Sequence, residues 1–147
     1  MALITGREMG FFEMMGMAVW LMTKSRKYAE YPVACLSAWI EPAILHGQIH
    51  FFLGEDGKPN AYATWAWLAP DAERRLVEDP EVLLHVSEWN EGERLWIMDM
   101  VSIAGSIRDR IGELDAVLPA MAEARSLRRC EHGRVRKVVR WKRGGAS

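Results

Sequence analysis

Cysteine is scarce in this chain: Cys35 and Cys130 are the only two. They show neither metal-ligand spacing nor the density of a disulfide framework. Cys35 sits in the apolar run Val33-Ala34-Cys35-Leu36 and reads as core rather than as a nucleophile. Net charge is scarce too. Lys and Arg number 19 against 20 Asp and Glu, leaving −1 at pH 7, so no global field draws the chain onto nucleic acid. No apolar run approaches the roughly 20 residues that a membrane-spanning helix needs. The start, Met1-Ala2-Leu3-Ile4-Thr5-Gly6-Arg7-Glu8, has no basic segment followed by a long apolar one. A signal peptide is therefore not expected, and a cytoplasmic location is. Histidine offers no metal site. His46 and His50, four apart on a strand start, share a face but lie too far apart to hold one ion unaided. His85 and His132 read as surface residues.

What is present fits a single domain over residues 1–147. Half the chain is hydrophobic, and seven tryptophans are many for 147 residues; they belong either to an aromatic core or to a groove. Met9, Phe12, Met15, Met17, Trp20 and Leu21 recur at three- and four-residue spacings and predict a helix over 8–24. An ordered loop is expected at 23–32, ending at Tyr31-Pro32. Alternation of Leu36, Ala38 and Ile40 predicts a strand over 34–41. The turn signal Gly54-Glu55-Asp56-Gly57-Lys58-Pro59 between two apolar-aromatic runs predicts a hairpin of 46–54 with 60–68. Short helices are expected at 70–79 and 81–88, and a doubly buried central strand at 94–103. A turn at Ala104-Gly105-Ser106 leads to a helix over 107–127, bent at Pro119. A last strand at 134–141 and a frayed end at 144–147 complete the order, which indicates an α+β fold with a mostly antiparallel central sheet flanked by helices.

Asp99 is the most informative residue. A carboxylate inside Trp96-Ile97-Met98-Asp99-Met100-Val101 is costly unless it is paired or hydrogen-bonded. Either it anchors a neighbouring loop or an arginine such as Arg94 or Arg108, or it is a buried acid of the kind that does base chemistry in a cleft. The junction after it, Val101, Ser102, Ile103, Ala104, Gly105 and Ser106, consists largely of small residues and opens a helix. Small residues let a ligand approach the backbone, a helix start offers free N–H groups to anions, and Arg108 adds a phosphate contact. A plain strand–turn–helix link has the same appearance. The basic residues Arg128, Arg129, Arg134, Arg136, Lys137, Arg140, Lys142 and Arg143 form either a charged edge strand or a docking patch for an acidic partner.

Over about 15–143 the chain resembles the toxin-activating lysine acyltransferases, which activate RTX haemolysins in Gram-negative bacteria. The resemblance rests on Met15-Gly16 with Trp20-Leu21, Tyr31-Pro32-Val33, Pro42-Ala43-Ile44, and the run from Pro59 to Ala66. It continues through Gly92-Glu93-Arg94-Leu95-Trp96-Ile97-Met98-Asp99 and Gly133-Arg134-Val135. It implies a GNAT-like fold and an enzyme that moves a fatty acyl group from acyl carrier protein to a lysine ε-amine. It also implies a cytoplasmic protein able to form a homodimer, with no tightly bound cofactor.

That family's catalytic pair is a histidine in the loop after the first helix and an aspartate on a central strand. The aspartate position is Asp99, and the histidine position, three residues before Tyr31-Pro32, is Tyr28. A histidine accepts a lysine proton near neutral pH, whereas a tyrosine, with an ordinary pKa near 10, serves better as a proton donor to a leaving thiolate. The readings are thus an acyltransferase using Asp99 and Tyr28, with residues 101–106 and Arg108 as the donor-facing wall; a catalytically inactive relative that binds acyl carrier protein or peptide; and a GNAT-like enzyme taking acyl-CoA.

Overall fold

The segment from Gly54 to Lys58 turns the chain back on itself. Gly54 N–H donates to the Lys58 carbonyl (2.9 Å) and Gly57 N–H to the Gly54 carbonyl (3.0 Å). Gly57 has φ +77°, where a side chain is strained. The strands joined here are β3 (Ile49–Leu53) and β4 (Pro59–Leu68), paired antiparallel as expected. The computed structural model describes residues 3–4, 7–79, 82–105, 107–118, 123–129 and 135–142. A small two-stranded ribbon, β1 (Leu3–Ile4) with β2 (Arg7–Glu8), precedes helix α1 (Phe11–Lys24). Further on come α2 (Glu41–Leu45), α3 (Pro70–Glu78), β5 (Arg94–Ser102), α4 (Ile107–Val117), β6 (Glu123–Arg129) and β7 (Val135–Lys142). The main sheet has the order β3-β4-β5-β6-β7, and only the β5–β6 neighbours run parallel. The fold is α+β with a mostly antiparallel sheet, of the GNAT-like kind.

Alternation along β4 sorts its side chains onto the two faces of the sheet. Tyr62, Ala66 and Leu68 join the main core, with Met14, Ala18 and Leu21 of α1, Ala43 and Ile44 of α2, and Ala72 and Leu76 of α3. Ala61, Ala63 and Trp65 join a second core beneath Leu114 of α4 and neighbouring Leu118. The described tryptophans serve mainly as filling: Trp39, Trp65, Trp89 and Trp96 are buried, while Trp20 is exposed. Cys35 is half-buried against the main core.

Three expected elements are corrected. Residues 34–41 do not form a strand. A π-helical stretch, Leu36–Ile40, runs directly into α2. The buried side chains are Trp39, Ile40, Pro42, Ala43 and Ile44; Trp39, Ile40, Ala43 and Ile44 are spaced for a helix face, and the period-two reading of Leu36, Ala38 and Ile40 was coincidental. Pro42 has no N–H to give to Ala38, and the wider π winding sits just before that missing bond. The helix expected at 107–127 ends at Val117, and Glu123–Arg129 is a strand paired with β7. Pro119 marks an end rather than a bend, since the residue before a proline resists helix. Pro119 itself lies outside the described residues, as do Cys130, His132 and 143–147. In the expected loop, α1 persists to Lys24 and a 3-10 turn covers Tyr28–Glu30. The short helix expected at 81–88 is a 3-10 turn at Val86–Trp89.

Gly92 passes hard against the end of β4: a Cβ there would lie 2.0 Å from the Leu68 carbonyl carbon and oxygen. Backbone cannot yield as a flexible side chain does, so Gly92→Ala should cost about 3 kcal/mol or more, read as a drop in urea midpoint. Glu88 accepts from the Arg75 guanidinium and from His85 N–H (2.9 Å). The Arg75 contact first, then the backbone bond, hold its carboxyl below the usual range. Stability from a depressed carboxylate is present above its unfolded pKa and is lost as pH falls through the folded value. Glu88→Gln should therefore lower Tm at pH 7, with a deficit that shrinks below about pH 4.

Candidate active site

Strand β5 alternates faces until Met98. Leu95 and Ile97 belong to the core beneath α4, and Trp96 and Met98 to the core beneath α1. Strict alternation would send Asp99 to the α4 side. Instead the ladder shifts: Ile97 pairs with Trp65 and Asp99 with Thr64, leaving Met98 as an extra residue on β5. Such a bulge re-aims the side chains that follow it. Asp99 consequently faces the α1 side, Met100 packs on the α4 side, and Val101 returns to the main core. Asp99 N–H donates to Thr64 Oγ1 (3.1 Å) within this bulge.

The chain after α1 brings up the second group. Ser25 is extended and ends the helix, and its hydroxyl accepts from Tyr28 N–H (3.3 Å). Tyr31 N–H donates to the Tyr28 carbonyl (3.1 Å), closing the 3-10 turn ahead of Pro32. Tyr28 packs on Tyr31 (centroids 5.0 Å) and Tyr31 on Trp39 (5.4 Å). Held this way, the Tyr28 hydroxyl donates to Asp99 Oδ1 at 2.7 Å. Tyr28 is 8% exposed and Asp99 4%. In this low-polarity setting a hydrogen bond to a carboxylate is strong.

Of the expected site residues, Asp99 and Tyr28 are thus brought into contact across 71 positions of sequence. Val101 is core, and Ile103 N–H is tied to the Asn60 carbonyl (2.9 Å). Ser102 donates its hydroxyl to the Ala104 carbonyl (3.0 Å), and Gly105 turns with φ +76°. Ala104 and Gly105 are exposed in the link between β5 and α4. Ser106 lies outside the described residues, as do the side chains of Arg108 and of the basic residues on β7. Arg94 does not reach Asp99: it donates to Glu73 (3.1 Å), which also accepts from Trp96 Nε1 (2.8 Å) and Arg125 (2.9 Å). This carboxylate ties α3 to β5 and β6. His50 bonds Glu113 (2.6 Å), and His46 Nε2 lies 2.7 Å from the Val86 carbonyl oxygen.

Two features escaped the sequence reading. Thr64 is a fully buried hydroxyl in the apolar strand Ala61–Leu68, and that isolation was its only signal. The ladder between β5 and β6 covers Trp96–Arg125 and Ile97–Ser126 and, among the described residues, goes no further. Asp99 lies two residues beyond the last of these pairs on β5. A cavity of about 500 Å³ lies elsewhere, between the exposed face of α1 (Phe12, Met17, Trp20) and Lys58-Pro59.

A GNAT-like sheet whose bulged central strand presents a buried aspartate to a tyrosine on the loop after the first helix defines the structural class. Within that class the chain belongs to the RTX toxin acyltransferase family, whose sequence pattern matches residues 7–142. It is 35% identical over 94 residues to the RTX-II toxin-activating lysine-acyltransferase ApxIIC of Actinobacillus pleuropneumoniae, covering 64% of this chain and 58% of that one. It is 34% identical over 94 residues to the leukotoxin-activating lysine-acyltransferase LtxC of Aggregatibacter actinomycetemcomitans (64% and 55%). It is 32% identical over 94 residues to the protein-lysine myristoyltransferase RtxC of Kingella kingae (64% and 55%). The matched stretch spans little more than half the length of these relatives. Among the described residues no helix is long and apolar enough to cross a membrane.

The Tyr28–Asp99 bond has a measurable structural consequence. Tyr28→Phe leaves the ring packing and removes a donor to a buried carboxylate, which should cost about 1–3 kcal/mol. Asp99→Asn keeps an acceptor oxygen and should cost less. Urea denaturation at pH 7 orders the two.

Proposed function

We propose that this chain is an N-acyltransferase that moves a fatty acyl group from a thioester to a lysine ε-amine of a protein or peptide, with Asp99 and Tyr28 as its catalytic pair. The observation that carries this reading is the buried 2.7 Å hydrogen bond from the Tyr28 hydroxyl to Asp99 Oδ1. In the reaction the neutral lysine nitrogen attacks the thioester carbonyl carbon; a C–N bond forms and the C–S bond breaks. The nitrogen gives up one proton to the Asp99 carboxylate, the departing thiolate takes one from the Tyr28 hydroxyl, and Asp99 returns its proton to Tyr28. No proton is gained or lost overall.

The donor in this proposal is acyl carrier protein, as the family resemblance implies, with acyl-CoA as the competing donor. The exposed segment at Ala104-Gly105 forms part of the donor-facing wall, with Ser106 and Arg108 continuing it. The enzyme acts in the cytoplasm and forms a homodimer. A second reading is supported by the tyrosine at the histidine position and by the burial of both groups: a relative without turnover that binds acyl carrier protein or peptide.

Incubation with acyl carrier protein or CoA thioesters and lysine-bearing acceptors, read by mass spectrometry, separates the readings. Asp99→Asn should reduce transfer by roughly a hundredfold or more while Tm stays near that of the wild type. Full transfer by this variant ends the catalytic assignment. Binding of acyl carrier protein without transfer by the wild type leaves the second reading.

A further inference from the structure

Thr64 lies on the same face of the sheet as Asp99 and Tyr28. Alternation through β4 is unbroken, with Tyr62 and Ala66 in the α1-side core and Ala63 and Trp65 in the α4-side core. Thr64 is 0% exposed in a strand whose neighbours are alanines and aromatics. A hydroxyl buried there is costly unless it is used, and a valine would fill the same volume without that cost. Its use is visible. The register shift places Asp99 opposite Thr64, and the Asp99 N–H is received by the Thr64 hydroxyl at 3.1 Å.

We infer that Thr64 is a positioning residue, whose hydroxyl closes the Met98 bulge and so fixes the Asp99 carboxylate against Tyr28. The amide it holds is one bond from the Cα that bears the carboxylate. Fixing that amide fixes the frame from which the side chain reaches the 2.7 Å contact with Tyr28. With the bulge unheld, β5 can re-pair by one residue, and a one-residue slip sends a side chain to the opposite face. For Asp99 that face holds Leu95, Ile97 and Leu114, where a carboxylate has no place. Met98, buried in the main core, is the residue that the bulge sets aside.

The kinetic part of this inference rests on Asp99 and Tyr28 being the reacting pair; the geometric part does not. Thr64→Val keeps the shape and removes the acceptor. Thr64→Ser keeps the acceptor and removes a methyl, and Thr64→Ala removes both. Transfer by Thr64→Val and Thr64→Ala should fall roughly ten- to a hundredfold in kcat with KM within about twofold, and Thr64→Ser should recover most of the rate. In parallel, the Asp99 carboxyl carbon is followed by NMR through a pH titration, its resonance assigned with Asp99→Asn. Its midpoint should move by about half a pH unit or more in Val and Ala, and little in Ser.

Should Thr64→Val fail to fold, the Ala and Ser pair carries the same comparison. An unmoved midpoint in folded Val or Ala variants, or Ser behaving like Ala, overturns the inference. A wild type without transfer under either donor defeats the proposed reaction, and the titration then still decides the role of Thr64.

Discussion

One inserted residue governs the candidate site. Without the bulge at Met98, a strictly pleated β5 would aim Asp99 beneath α4, among Leu95, Ile97 and Leu114, and Tyr28 would face a hydrophobic side chain instead. With it, the strand keeps its apolar alternation on both sides of the insertion and delivers a single carboxylate to the α1 face. The two cores make this rigid. Trp96 and Met98 are locked on one side, and Ile97 and Met100 on the other, so the strand cannot rotate to relieve the buried charge.

The sheet beside the bulge is held by a second polar contact. Glu73 gathers Trp96, Arg94 and Arg125 and so clamps β6 to β5 where the two are paired, at Trp96 and Ile97. Beyond the clamp, among the described residues, the ladder goes no further than Ile97–Ser126. The antiparallel β4–β5 ladder, by contrast, runs from Ala61–Ser102 to Leu68–Arg94 with only the Met98 bulge between. Glu73 therefore ties α3, β5 and β6 together just before the bulge.

Much of this was legible in the sequence, for physical reasons that differ between elements. The hairpin was legible because its turn needs glycines and Asp56 between two apolar runs, and few other folds use that combination. Asp99 was legible because a charge in an apolar run has to be accounted for. The 34–41 segment misled because Leu36, Ala38 and Ile40 satisfy a period of two over a window too short to exclude 3.6; the pairing of Trp39-Ile40 with Ala43-Ile44 carried the helical answer. Glu123–Arg129 misled because Glu, Ala, Arg and Leu favour helix locally, and it is pairing with β7 and β5 that makes them a strand. The bulge left no local trace: register is a property of two strands, and neither Met98 nor Thr64 announces it alone.

A structural role for the Tyr28–Asp99 bond and a catalytic one make different demands on chemistry. Pinning a 3-10 turn to a strand requires a donor and an acceptor, and a tyrosine with an asparagine would supply both. A carboxylate supplies the same acceptor at a much higher desolvation cost. The Tyr28 turn is also already held by Ser25, by the edge-to-face contact of Tyr31 with Trp39, and by its own 3-10 bond. The extra electrostatic cost of Asp99 is therefore poorly explained by anchoring alone. In the proposed reaction Asp99 is instead a group that changes its proton, a role that an asparagine cannot fill.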